Sequence, residues 1–182
     1  MIMLFTYTEA KEEYGSDYQL QRAVAHGDLF KLASGLYSSS KNVSPYAAVA
    51  KKYPEAIVTM DSAFFIHGLT DVIPDRINLV TKRNALRIKD EAIKQHFIEK
   101  HLLLPGKSTM SYDGADINIY NLERLLVELM RSSSRMPLDY YKEIVVSFRR
   151  RVEDMNIRAI EDYINLFERK DFLFDIFQRE VL

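Results

Sequence analysis

TEAKEEYGSDYQLQRAVAHGDLFKLASGLY, Thr8 to Tyr37, is the stretch that decides the fold. Thr8 to Tyr14 reads as a short helix stopped by Gly15, the residue type that most easily takes the left-handed conformation ending a helix. Ser16 or Asp17 then caps a second helix. From Asp17 to His26, an apolar stripe of Tyr18, Leu20, Ala23 and Val24 faces inward while Gln19, Gln21, Arg22 and His26 point elsewhere. Gly27 ends this helix. Two short apolar runs, Leu29 to Ala33 and Leu36–Tyr37, follow on either side of Ser34–Gly35, which is a hairpin signature. Helix, tight turn, helix and hairpin within about forty residues predict a winged helix-turn-helix.

Working outward, the polar stretch Ser38 to Ser44 lacks apolar periodicity and reads as a linker. It divides the chain into a winged helix-turn-helix over 1–40 and a mixed α/β domain over 41–182. Ser44–Pro45 opens a helix as N-cap and first-turn proline, and Tyr53–Pro54 closes it. Ala56 to Thr59 and Ile77 to Thr81 are strand candidates. Between them Asp61 or Ser62 caps a brief apolar helix, Ala63 to His67, ended by Gly68. Ile93 to Glu99 is ambiguous on periodicity, with its second half favouring a strand. Ser108 to Tyr112 and Asp116 to Tyr120 flank Asp113–Gly114–Ala115 as a hairpin. Asn121 caps a helix with Leu122, Leu125, Leu126 and Leu129 on one face and an Arg124–Glu128 pair on the other. Three more amphipathic helices follow the break at Ser132 to Pro137. The class expected is therefore α+β, a small sheet followed by C-terminal helices.

Composition narrows the function. With no cysteine there is no disulfide, thiol nucleophile or Cys-based zinc site, and a reducing cytoplasm fits best. Met1 to Phe5 is too short an apolar run for a signal-peptide core, and no stretch approaches a membrane span. The 25 basic residues against 26 acidic ones give no overall field to attract nucleic acid. Residues 1–42 carry Lys11, Arg22, Lys31 and Lys41 against Glu9, Glu12, Glu13, Asp17 and Asp28, so DNA contact would depend on local geometry and one copy would bind weakly.

Three phrases, in matching order and separation, carry a family resemblance across nearly the whole chain. They are Gly27-Asp28-Leu29-Phe30-Lys31-Leu32 with Ser34-Gly35-Leu36-Tyr37, then Ser62-Ala63 leading to His67-Gly68-Leu69-Thr70-Asp71 and Pro74, then Tyr120-Asn121-Leu122-Glu123-Arg124-Leu125-Leu126. The chain resembles the AbiEi family of bacterial type IV antitoxins and transcriptional regulators. The resemblance implies a winged domain that binds promoter repeats of a toxin–antitoxin operon and represses it, with oligomerisation on DNA. It also implies a nucleotidyltransferase-like toxin as functional partner, counteracted without a stable complex. In one respect the chain departs from the family. Many members carry a helix before the one at Thr8, where this sequence offers Met1 to Tyr7, so an abbreviated winged domain of reduced affinity is expected.

On a DNA-binding reading, Gln19, Gln21, Arg22 and His26 have the donor geometry to read base edges, and Lys31 and Ser34 would touch phosphate from the wing. Lys82, Arg83, Arg87, Lys89, Arg149, Arg150 and Arg151 are possible secondary phosphate contacts, against which stands the ordinary reading of a solvated charged face. No catalytic residue, metal site or cofactor is expected. His26, His67, His96 and His101 lack ligand spacing, and there is no phosphate loop or nucleophile elbow. Glu123 and Arg124 read as helix-start residues. Asp61, Asp71 and Asp75 read as caps and loop starts, which leaves a metal-dependent DNA-processing enzyme, or an orphan regulator without a toxin, as the alternatives.

Overall fold

The structure, a computed structural model, describes residues 2–182; the Met1 end of the apolar N-terminal run lies outside them. Among the described residues the chain is α+β, with nine α-helices, a three-stranded antiparallel sheet and a five-stranded mixed sheet. It divides into two compact units. One runs to Glu55 and includes Met110–Ile117; the other comprises Ala56–Thr109 and Asn118–Leu182. The division thus falls after Glu55, with the helix that follows the polar stretch grouped in the first unit, rather than at residue 40.

The first unit opens with an element that the sequence pattern does not announce, strand β1 (Leu4–Thr6). Helices α1 (Tyr7–Tyr14) and α2 (Asp17–His26) and strands β2 (Phe30–Ala33) and β3 (Leu36–Ser38) follow. The sheet order is β1-β3-β2, so the first strand lies against the last, with Phe5 opposite Tyr37. Thr6 and Glu9 form a reciprocal capping box that starts α1, and Gly15, at φ 85°, ends it. Ala10, Leu20, Ala23, Leu29 and Tyr37 make the small core, with Phe5, Tyr14 and Val24 packed against it. Helix α3 (Pro45–Lys52), capped by the Ser44 hydroxyl, is tied to α1 by a 2.7 Å Lys51–Glu9 ion pair. That ammonium and the Thr6 amide hold the Glu9 carboxyl down at about 2.

In the second unit, β4 (Ile57–Val58), β5 (Ile77–Lys82), β6 (Ile93–Ile98), β7 (Lys107–Tyr112) and β8 (Ala115–Tyr120) are ordered β6-β5-β4-β8-β7; the outer end of the β7–β8 hairpin belongs to the first unit. β5 pairs parallel with β6 over its full length, Ile77 opposite Ile93 through Lys82 opposite Ile98, so all of Ile93–Ile98 is strand, not its second half alone. Asp113 and Gly114 turn the β7–β8 hairpin with φ of 50° and 79°, both in the left-handed region a tight two-residue turn requires. Helix α4 (Met60–Ile66) starts earlier than expected: Thr59 is its N-cap, and neither Asp61 nor Ser62 caps it. Ser62 is engaged elsewhere. Its hydroxyl donates to the Arg76 carbonyl and accepts from the Asn78 amide at 2.8 Å, pinning the helix to β5.

After α5 (Lys100–Leu103), helix α6 (Leu122–Ser132) is capped by Asn121 and followed by α7 (Leu138–Arg149), α8 (Ile157–Ile164) and α9 (Lys170–Ile176), with a last π-helical turn at Phe177–Val181. Helix α6 is central. Every residue from Arg124 to Met130 is buried, and α4, α8 and α9 all pack on it. This corrects the expectation of an outward-facing Arg124–Glu128 pair. A leucine stripe opposite two charges looks like a surface helix, but here the charges neutralise each other and the C-terminal helices cover them.

Candidate nucleic-acid interface

Two local choices aim helix α2. The Ser16 hydroxyl accepts from the Gln19 amide, fixing its start, and Gly27 at φ 84° fixes its end. The α1–α2 turn is held by Asp17, which accepts from the Tyr7 hydroxyl and pairs with Lys11 at 3.1 Å; the tyrosine's hydrogen bond, first, and the lysine's hydrogen bond and charge lower the Asp17 pKa. With Leu20 and Ala23 buried in the core, the opposite side of α2 meets solvent.

Gln19, Gln21, Arg22 and His26 are all exposed on that side, and Lys31 and Ser34 are exposed on the hairpin. None of the six side chains is engaged in a hydrogen bond or ion pair among the described residues. Gln19, Arg22 and His26, at i, i+3 and i+7, therefore share one solvent face, Gln21 lies about 100° round the helix from Arg22, and Lys31 and Ser34 belong to a second element; no hydrogen bond or ion pair joins the two sets among the described residues.

Tyr18 does not belong to the inward stripe. It is 71% exposed. At about 100° per residue it lies between Gln21 and Arg22 around the helix, diametrically away from the Leu20–Ala23 side. The i, i+4 spacing of Tyr18 and Arg22 carried that information, but an aromatic residue in a helix reads first as core. The exposed face is thus an aromatic ring and a guanidinium flanked by amides and an imidazole.

The secondary candidates lie in the second unit and serve different ends. Arg83 pairs with Glu99, Lys82 is partly buried, and Arg87 and Lys89 are exposed in the loop after β5. The arginine run at the end of α7 is divided. Arg151 donates to the carbonyls of His67 and Gly68, both at 2.7 Å, so it caps the C-terminus of α4, and Arg149 donates to the Glu180 carbonyl. Of the three, Arg150 alone is exposed without such a partner. Glu123, at the start of α6, accepts from the Asn156 amide and so steadies the start of α8.

The histidines are placed individually. His67 Nε2 donates to the Tyr120 carbonyl at 2.9 Å. His96 Nε2 donates to Asn78 Oδ1 at 2.9 Å, a direction fixed because the Asn78 amide nitrogen is spent on the Arg76 carbonyl. His26 and His101 are exposed. Among the described residues no group of three acidic or histidine side chains could hold a metal ion, and no helix is long and apolar enough to cross a membrane. No protein-family model matches the chain, and no curated protein matches its sequence.

Proposed function

We propose that the chain is a DNA-binding regulator whose first unit is a winged helix-turn-helix, with α2 as the recognition helix and the β2–β3 hairpin as the wing. Strand, two helices and a hairpin, with the first strand paired to the last, is the arrangement such a domain needs. The single observation that carries the reading is the solvent face of α2, where Gln19, Gln21, Arg22 and His26 lie exposed with their side-chain donors uncommitted. Amide and guanidinium groups so presented match the edges of adenine and guanine in the major groove.

In its finer form the proposal is an AbiEi-type antitoxin that represses its own operon, is not itself an enzyme, and has a nucleotidyltransferase-like toxin as its functional counterpart. The near-neutral charge of the first unit makes a single copy a weak binder, so useful affinity comes from several copies on repeated sites.

The test is an anisotropy titration of the full chain on the DNA upstream of its own gene, at two salt concentrations. Arg22→Ala is expected to cost about 1–3 kcal/mol on the specific site and to relax sequence preference, while Lys31→Ala weakens all sequences alike and flattens the salt slope. Equal affinity of the parent for its promoter and for random DNA overturns the proposal.

A further inference from the structure

The second unit has a half-open cavity of about 840 Å³ between the first turn of α4, strands β5 and β6, the end of α6 and Tyr140 of α7. That is within the size range of small-molecule sites, roughly 300–1,000 Å³. Besides Tyr120 and Tyr140, its titratable lining is Asp61, Lys94, His96, Glu128, Arg131 and Arg135. The two acids do not balance the cations. Both oxygens of Glu128 are already taken, one by the buried Arg124 guanidinium at 2.8 Å and the other by Arg131 at 2.7 Å. One carboxylate thus sits between two guanidiniums. Lys94 and Arg135 add two further positive charges with no acidic partner among the described residues, and Asp61 alone opposes them.

Three more observations concern the same wall. Tyr140 lines the cavity, with its hydroxyl buried beside Asp61. Burial, first, and the neighbouring Asp61 carboxylate raise that hydroxyl's pKa. Met60, also on the wall, has φ 47°, a left-handed conformation that non-glycine residues seldom adopt. A second cavity of about 480 Å³, bordered by Arg83 and Arg169, shares Arg131 and Arg135 with the first. Of the two, Arg131 is held by Glu128 and stacked on Phe167 at 3.9 Å, whereas Arg135 is exposed between the two volumes.

We propose that this cavity binds a small phosphorylated organic molecule, its phosphate held by Arg135 and Lys94 and its remainder lying against Met60, Val80 and Met136. The cation excess supplies the charge, a planar guanidinium supplies directed donors, and the volume exceeds what inorganic phosphate fills. The site does not depend on the DNA-binding reading.

Isothermal titration of the full chain with AMP, pyrophosphate and, as the uncharged control, adenosine tests it. Saturable binding of AMP at one equivalent is expected, with adenosine at least about tenfold weaker. Arg135→Ala and Lys94→Ala, both at exposed positions, should each weaken AMP about tenfold while leaving the unliganded melting temperature in place. Absence of saturable binding by AMP and pyrophosphate, equal binding of adenosine, or AMP affinity unchanged in both Arg135→Ala and Lys94→Ala overturns the proposal.

Discussion

Gly106 lies directly against Arg124: a Cβ at position 106 would stand 2.3 Å from the Arg124 Cβ and 3.1 Å from the Asn121 side-chain oxygen. The loop before β7 must come this close because its carbonyls solvate the guanidinium. Arg124, fully buried, donates to Pro105 O and Leu102 O and to Glu128, and stacks between the rings of Tyr120 at 4.7 Å and Phe167 at 5.1 Å. Backbone carbonyls, a carboxylate and two aromatic faces together replace the water that the charge has lost.

Gly106→Ala should therefore destabilise the second unit by about 3 kcal/mol or more, since its φ of 83° and the clash with Arg124 act together. Urea unfolding followed by circular dichroism measures this. A midpoint equal to the parent's would mean the loop can withdraw without loss.

Arg124→Ala should cost about 3–5 kcal/mol, the range for breaking a buried charge pair. Arg124→Lys should rescue little of it, because an ammonium cannot make the forked contacts to two carbonyls and a carboxylate while stacking on two rings. Near-parent stability of the lysine variant would show that charge alone suffices.

Leu126 is fully buried on α6, and Leu126→Ala should cost about 2–5 kcal/mol. Thermal melts indistinguishable from the parent's would contradict the central position of that helix.

Tyr18→Ala should leave the melting temperature unchanged within about a degree or two, as for an exposed side chain without partners, yet weaken promoter binding. Loss of stability instead would return Tyr18 to the core. Weakening equal in size on random DNA would assign the ring to general contact rather than to sequence reading.

The pH dependence has a definite sign. Burial holds His67 below the ordinary histidine range, opposed by its bond to the Tyr120 carbonyl and reinforced by Arg151; burial does the same for His96, reinforced by Lys94 and opposed by Asp61 and Glu128. Both take up their protons at lower pH in the fold than in the unfolded chain, whose histidines protonate as pH falls through about 6.5. Their contribution is thus full above about pH 7 and is lost as pH drops toward the depressed folded values. Chemical denaturation at pH 7.5, 6.5 and 5.5 should show stability falling, with a shallower fall in a His67→Gln, His96→Gln variant. Equal slopes in the two proteins would assign the acid sensitivity elsewhere.

How far the sequence could be read depended on whether the cause of an element was local. Gly15, Ser16, Gly27, Ser44–Pro45 and Asn121 act within their own turns, and the helices they bound begin or end where those residues predict. β1 escaped because three residues carry no period, and its cause is a partner some thirty positions away. The start of α4 escaped because Ser62 bonds to β5, which no local pattern reveals. The Arg124–Glu128 pair is an i,i+4 pair in either environment, and only the helices folded over it decide that it is buried. Of the candidate interface, the polar face of α2 was legible, whereas Tyr18 and the cavity in the second unit were not. The cavity unites side chains from five separate segments, and proximity of that kind leaves no trace in spacing.

The grouping of Met110–Ile117 with the first unit means that this unit is not one continuous piece of gene. Within it the ring of Tyr112 meets the ring of Tyr46 edge-on at 5.1 Å, so a residue encoded far downstream belongs to the same body as α3. A coding sequence cut after Glu55 would therefore omit part of what it sets out to encode, and what remained would keep eight residues whose companions had gone. Exchange of the leading segment between related genes would succeed only where the incoming segment tolerates the resident hairpin tip, which makes that tip a compatibility tag between the two parts of the chain.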